Sequence, residues 1–138
     1  MIIDHIGILV RALPEAVAQW EKLFGYIQSS RVVTNTRQKV KVVFLTKPGS
    51  VTVKLFEPTD ASSPVYSLAQ KGGGLHHLCF RCDNLEAGLP ELQRNGARLL
   101  VAPKPGEAFN EHEIAFLFAG SSNLNFELID TDEKAGPD

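Results

Sequence analysis

Cysteine, methionine and tryptophan are scarce in this chain, and neither sign of charge dominates it. Among 138 residues there are two Cys, one Met and one Trp, with 14 Lys and Arg against 16 Asp and Glu. Two cysteines allow at most one disulfide. Cys79 and Cys82 fall on one strand by the pattern described below, with side chains on opposite faces, so no bridge between them is expected. A reduced, cytoplasmic protein is the plain reading. A formal charge of −2 supplies no electrostatic footprint for nucleic acid or for an anionic membrane, and neither is expected as a partner. No apolar run approaches the ~20 residues of a spanning helix, and no basic stretch followed by an apolar one opens the chain.

What is present is an ordinary globular balance, 43% hydrophobic and 22% charged. The length makes one domain, 1–138, whose core folds without covalent staples. Ile2 to Val10 is an apolar, β-branched run and reads as a strand. Pro14 opens a helix to Phe24, with Ala16, Val17, Trp20, Leu23 and Phe24 at helical spacing and Gly25 as its stop. Strands follow at Ile27–Thr34, Lys41–Thr46 and Val51–Glu57, the last two joined by a turn at Lys47-Pro48-Gly49-Ser50. Ser62–Lys71 reads as a short helix and Gly72-Gly73-Gly74 as a flexible hinge. The order then restarts: strand Leu75–Cys82, helix Leu85–Asn95 stopped by Gly96, short strand Ala97–Val101, and a proline-rich loop over Pro103–Pro105. Strands Glu113–Phe118 and Leu124–Ile129 complete it, and the polar tail after Asp130 is expected to be mobile.

A shift of 72 or 73 positions lays the second half on the first. His5 falls on His77, Leu13 on Leu85, Val42-Val43-Phe44-Leu45 on Ile114-Ala115-Phe116-Leu117, and Val53-Lys54-Leu55 on Phe126-Glu127-Leu128. Such a repeat is too long for a solenoid unit and reads as a duplicated domain half. The expected fold is therefore α+β: two βαβββ modules in tandem, about 1–60 and 74–130 with a linker at 61–73, forming a curved mixed sheet around one pocket.

Alternation along strands assigns faces. Ile6, Ile8 and Val10 share one side of the first strand, as do Leu78, Phe80 and Cys82 in its repeat, and this apolar side packs on the helices. His5, His77, Lys54 and Glu127 then lie on the other side, with Cys79 and Arg81. A pseudo-twofold axis between the halves makes those first four converge. Two imidazoles and a carboxylate are metal-ligand types. A protonated lysine has three donors and no acceptor, and is not. The competing reading of His5 and His77 is a pair of hydrogen-bonding core residues, which their repeat-equivalent placement argues against. His76 is expected to face the helices or a neighbouring strand in a structural role, and His112 to be solvated. Cys79-Phe80-Arg81-Cys82 has a redox spacing but lacks the following helix N-terminus, so core packing is the better account. Arg81 is a candidate for binding an anionic substrate, or for balancing Glu127.

Asp4-His5-Ile6-Gly7, Trp20-Glu21-Lys22-Leu23-Phe24-Gly25, Leu55-Phe56-Glu57-Pro58-Thr59, Gly74-Leu75-His76-His77 and Ile114-Ala115-Phe116-Leu117 resemble the vicinal oxygen chelate superfamily of glyoxalases, bleomycin resistance proteins and dioxygenases. Within it they are most similar to the methylmalonyl-CoA epimerases. The resemblance implies a divalent metal held at His5, His77 and Glu127, with a Glu or Gln at the position of Lys54. That metal polarises a thioester carbonyl so that an α-proton leaves as an enolate forms. It also implies a homodimer. This chain departs from the pattern at Lys54, and at Phe109-Asn110-Glu111-His112, where the family is glycine-rich.

Two outcomes are open. Lys54 pairs with Glu127, its ammonium replacing the metal charge, or it swings out and leaves a two-histidine, one-carboxylate set of the kind that holds non-haem Fe(II). Coulomb repulsion between an ammonium and a divalent cation favours the first. Three functions follow: a glyoxalase- or epimerase-like enzyme moving a proton next to the carbonyl of a small substrate, with Lys54 and Glu127 catalytic; a metal-free, drug-sequestering binding protein; and a dioxygenase.

Overall fold

Strand-forming runs dominate the chain, and the computed structural model, which describes residues 1–136, joins them in one mixed sheet. The first half contains β1 (Ile2–Leu9), α1 (Leu13–Phe24), β2 (Ile27–Gln28), β3 (Val33–Asn35), β4 (Val40–Thr46) and β5 (Thr52–Pro58). A short helix α2 (Tyr66–Gln70) leads to β6 (Gly74–Arg81), α3 (Leu85–Arg94), β7 (Arg98–Pro105), β8 (Glu113–Ala119) and β9 (Leu124–Ile129). The strands run in the order β2-β4-β5-β1-β6-β9-β8-β7, with β3 also on β4, so the curved sheet is open at β2 and β7. No helix among the described residues is long and apolar enough to cross a membrane.

Both halves use the same pairing. β1 lies parallel to β5 with Gly7 opposite Lys54, and β6 lies parallel to β9 with Cys79 opposite Glu127. Lys54 in turn faces Phe44 on β4, as Glu127 faces Phe116 on β8. The offset of 72 or 73 residues is therefore preserved in register as well as in sequence. The two β1–β5 and β6–β9 units meet where β1 pairs antiparallel with β6.

The two longer helices, α1 and α3, cover one face, and the short α2 packs on the other through Ala69. Leu13, Ala16, Val17 and Trp20 of α1 pack on Ile8, Val43, Leu45, Val53 and Leu55. Leu85, Leu89 and Leu92 of α3 pack on Phe80, Ala115, Leu117, Phe126 and Leu128. Each fully buried aliphatic or aromatic side chain removes enough apolar surface to contribute about 1.5–3 kcal/mol. Gly25 ends α1 with φ 72°, a conformation that costs a side-chain-bearing residue. Asn84 caps α3 by accepting a hydrogen bond from the Ala87 amide at 3.0 Å. The opposite face carries a second core built from Leu9, Val42, Phe44, Phe56, Phe109 and Ile114. That division is the one which alternation predicts.

Four local expectations are corrected. The strand expected over Ile27–Thr34 is two short ones, because the Phe44 amide bonds to the Ser30 hydroxyl rather than to a partner strand (2.9 Å). The proline-rich segment Pro103–Pro105 is not a loop but the end of β7, where an edge position tolerates a residue without an amide proton. Gly72-Gly73-Gly74 is a fitted turn and not a free hinge: a Cβ on Gly73 (φ 65°) would lie 2.3 Å from the Leu9 carbonyl oxygen. The tail is docked. Ala135 is buried and donates its amide to Ala108 O (2.9 Å), and Gly136 O accepts from the Arg31 amide (2.6 Å). Pro137 and Asp138 lie outside the described residues.

Candidate active site

On the face opposite α1 and α3, three cationic or imidazole groups converge on one carboxylate oxygen. Glu127 is fully buried, and its Oε1 is contacted by Lys54 Nζ and by His77 Nε2, with His5 Nε2 at 3.4 Å. His5 is also fully buried, and Lys54 and His77 are 5% and 7% exposed. The four positions derived from repeat and alternation thus meet in one place. Burial alone would raise the Glu127 carboxyl, but the Lys54 ammonium and His77 beside it outweigh that and hold it well below the usual carboxylate range. Burial, and next the Lys54 ammonium, push His77 down to about 4, so it is a neutral imidazole at pH 7.

Two further residues belong to the site and escape the alternation rule. The β1–β6 register slips twice, between Ile3 and His5 and between Gly7 and Ile8, leaving Asp4 and His76 as extra residues. Such bulges re-aim side chains. Asp4 Oδ2 lies 2.7 Å from His5 Nδ1, and His76 Nδ1 lies 2.8 Å from His77 Nδ1. Asp4 and His76 are themselves 72 positions apart, so each half supplies a bulged residue that engages Nδ1 of the histidine after it. A carboxylate only accepts, so His5 donates its Nδ1 proton to Asp4 and directs Nε2 inward toward Glu127. His76, expected to face the helices or a neighbouring strand, is thereby turned away from α1 and α3 and onto Phe56 of β5. It lines the cavity, edge-on to Phe56 with ring centroids 5.3 Å apart. A sequence signal for both existed: polar side chains at repeat-equivalent positions on a face otherwise apolar.

A cavity of about 300 Å³ opens onto Lys54, His76 and His77. Its walls are apolar, including Val42, Phe56, Val101, Ile114 and Phe116, and its charged lining residues are Arg37, Lys54 and Lys104, all cationic. Arg37 is held at the mouth by Glu107 (3.4 Å) and Glu111 (3.3 Å). Arg81, a sequence candidate for substrate binding, is not among the lining residues. Its guanidinium lies 3.6 Å from Asp4 and 3.8 Å from Asp132. Cys79 is buried beneath the cluster, where burial raises its thiol far above the ordinary value, and Cys82 packs against α3. A broader, shallower hollow of about 700 Å³ beside Trp20 and Tyr26 contains Lys47 as its one charged residue and has no comparable cluster.

The apolar helix face, the open duplicated sheet and the four-residue cluster on the concave side define a class. The chain belongs to the glyoxalase/bleomycin resistance protein/dioxygenase superfamily, whose model matches residues 4–118. Methylmalonyl-CoA epimerases are among its homologues and structural neighbours. The uncharacterized Bacillus subtilis protein YqjC is 36% identical over 122 residues, 88% of this chain and 85% of that one. The ethylmalonyl-CoA/methylmalonyl-CoA epimerase of Cereibacter sphaeroides is 26% identical over 133 residues, 95% and 96% of the two chains. The crystal structure of the Mycobacterium tuberculosis methylmalonyl-CoA epimerase superposes with a TM-score of 0.81 at 28% identity, covering 93% of this chain and 86% of that one. A methylmalonyl-CoA epimerase solved in complex with methylmalonyl-CoA and NH4+ gives 0.79 at 28% identity, with 98% and 97% covered. These similarities support an epimerase-like function for the chain.

Proposed function

We infer that this protein moves a proton at the carbon next to a carbonyl, in an epimerase-like isomerisation of a small thioester or related anionic carbonyl compound. The Lys54 ammonium supplies the positive charge that a divalent metal supplies elsewhere in the superfamily. One observation carries this reading: Lys54 Nζ rests on the carboxylate oxygen that both histidines approach.

The residues do not fit a divalent cation as they stand. His5, His77 and Glu127 offer three ligand atoms within 4.8 Å of one another. Yet the ammonium, which has no lone pair to give, occupies the carboxylate oxygen toward which a cation would be drawn, and its charge opposes one. The same ammonium suits an enolate. A substrate carbonyl in the cavity meets Lys54 with its developing negative charge, and a preorganised donor there lowers the barrier. His77 is neutral and, with Nε2 against the Glu127 carboxylate, keeps its lone pair on Nδ1, 2.8 Å from His76 Nδ1. This imidazole pair, which lines the cavity, accepts the α-proton, and the C–H electron pair moves onto the carbonyl oxygen. The enolate then takes a proton from solvent on its opposite face, and the one held by the imidazole is released to solvent, which inverts the centre and exchanges the α-hydrogen. Glu127 stays ionised and keeps the three groups in place.

Three cationic residues and no acidic one in the cavity lining favour a ligand with an anionic group besides its carbonyl. A similar epimerase binds methylmalonyl-CoA together with an ammonium ion, and Lys54 builds an ammonium into this chain. A homodimer, common for this fold, is part of the proposal and is checked by light scattering.

The test is solvent-deuterium incorporation at the α-carbon of methylmalonyl-CoA and of simpler acyl thioesters. Lys54→Met is expected to lose at least about 100-fold in turnover while still binding, as removal of an oxyanion donor does elsewhere. An unchanged rate in that variant removes the reading. Binding without exchange in the wild type favours the second one, a metal-free binding protein, for which the apolar lining speaks.

A further inference from the structure

The docked segment reaches the cluster through Lys134. Lys134 Nζ lies 2.9 Å from Asp4 Oδ2 and 3.1 Å from Asp4 Oδ1, spanning the carboxylate that holds His5. The Asp4 side chain is 4% exposed, so its charge needs a partner. Arg81 stands at 3.6 Å, beyond a direct hydrogen bond, which leaves Lys134 as the cation in contact. The Lys134 ammonium also sits 5.6 Å and 5.9 Å from the Phe44 and Phe109 ring centres. Those two rings flank His5, at 5.4 Å and 5.9 Å between centroids.

Lys134 does not reach this place on a free chain. The next residue, Ala135, is 1% exposed and bonded to Ala108, directly before Phe109, and Gly136 is bonded to Arg31 ahead of β3. The segment crosses from the end of β9 to both of those places, and none of its residues lines the cavity. It also lies beyond residues 4–118, the part that matches the family model.

We propose that residues 131–136 form a strap that completes the active site, with Lys134 as a positioning residue that fixes Asp4 against His5 Nδ1. With both carboxylate oxygens engaged, Asp4 has one orientation, His5 donates its Nδ1 proton to it, and Nε2 points at Glu127. Without Lys134 the nearest cation is Arg81, on the other side, and the carboxylate turns toward it and releases the imidazole.

The test compares full-length wild type with Lys134→Met and Lys134→Arg by imidazole ¹H–¹⁵N spectroscopy. The His5 Nδ1 proton is expected to be observable in the wild type, to exchange with water at least about tenfold faster in Lys134→Met, and to be restored within about twofold in Lys134→Arg, by analogy with other residues that orient an active-site histidine. Lys134→Gln serves as the neutral variant if the Met protein does not fold. A His5 proton unchanged in the neutral variant overturns the proposal. A second arm rests on the function proposed above: for thioester exchange, kcat falls about tenfold in Lys134→Met with KM within about twofold, and an equal loss in Lys134→Arg overturns the positioning role. If the wild type exchanges no thioester proton, that functional reading fails, while the spectroscopic arm still decides the role of the strap.

Discussion

The two halves of the molecule share a register, a pair of bulges and a pair of inward histidines, but not a charge pattern. In the first half the bulged residue is Asp4 and the inward residue on β5 is Lys54. In the second half the bulged residue is His76 and the inward residue on β9 is Glu127. One imidazole rests on a carboxylate, the other on a neutral imidazole. Duplication preserved backbone geometry while the side chains that set charge diverged. Lys54 and Glu127 are the instructive pair, since they are repeat-equivalent and touch across the pseudo-axis. Two carboxylates at those places would need an outside cation; an amine and a carboxylate neutralise one another.

The strongest way to break that comparison is to remove one member of the pair. Glu127→Leu leaves a buried ammonium without its counter-charge and is expected to cost about 3–5 kcal/mol in urea unfolding. The double variant Lys54→Met/Glu127→Leu should recover most of that, because neither charge is then stranded. A double variant no more stable than Glu127→Leu alone would show that the two charges do not depend on each other.

Acid comes next. His77 is neutral because burial and then Lys54 lower it from 6.5 to about 4. Between those values the unfolded imidazole takes a proton that the folded one refuses. This contribution to stability is complete above about pH 6.5 and is lost as pH falls through about 4, on the order of 3 kcal/mol in all. The depressed Glu127 carboxyl acts with the same sign at lower pH. Urea midpoints measured from pH 7 to pH 4 should fall less steeply in His77→Gln than in the wild type; equal slopes would contradict a neutral His77.

A smaller effect separates the glycine of one half from its counterpart in the other. Gly7 and Cys79 occupy equivalent positions, but a Cβ on Gly7 would lie 2.2 Å from the His77 ring. Gly7→Ala is therefore expected to cost about 1–3 kcal/mol and to displace His77, with loss of thioester exchange. Cys79→Ala, which removes only a buried sulfur, should cost about 1 kcal/mol and leave His77 in place. Denaturation curves and the His77 imidazole signals of both variants check the contrast, and matching effects would undo it.

Much of this is legible in the sequence. His5, His77, Lys54 and Glu127 came together as alternation and the repeat required, because a strand has a period of two and a one-residue error would have put them under the helices. The same rule mistakes the direction of His76 and gives no hint of Asp4, since a bulge is a local break in that period with no strong mark in one sequence. The strap was hidden by composition: a polar segment reads as solvated unless its one anchoring alanine and one buried contact for lysine are known. Arg81 shares a strand face with His77 but lies four residues away, far enough along β6 to meet Asp4 and Asp132 rather than the cavity. Pro103 and Pro105 argued for a loop, and only an edge position in the sheet makes them compatible with β7.

The central claim, that a lysine performs the electrostatic task of a metal, is met most directly by one assay: α-proton exchange of methylmalonyl-CoA in D2O by protein stripped with chelator, with its metal content measured in the same sample. Exchange that persists in metal-free wild-type protein and disappears in Lys54→Met is the predicted result. Exchange that vanishes on stripping and returns with a divalent cation, in the presence of an intact Lys54, would contradict it.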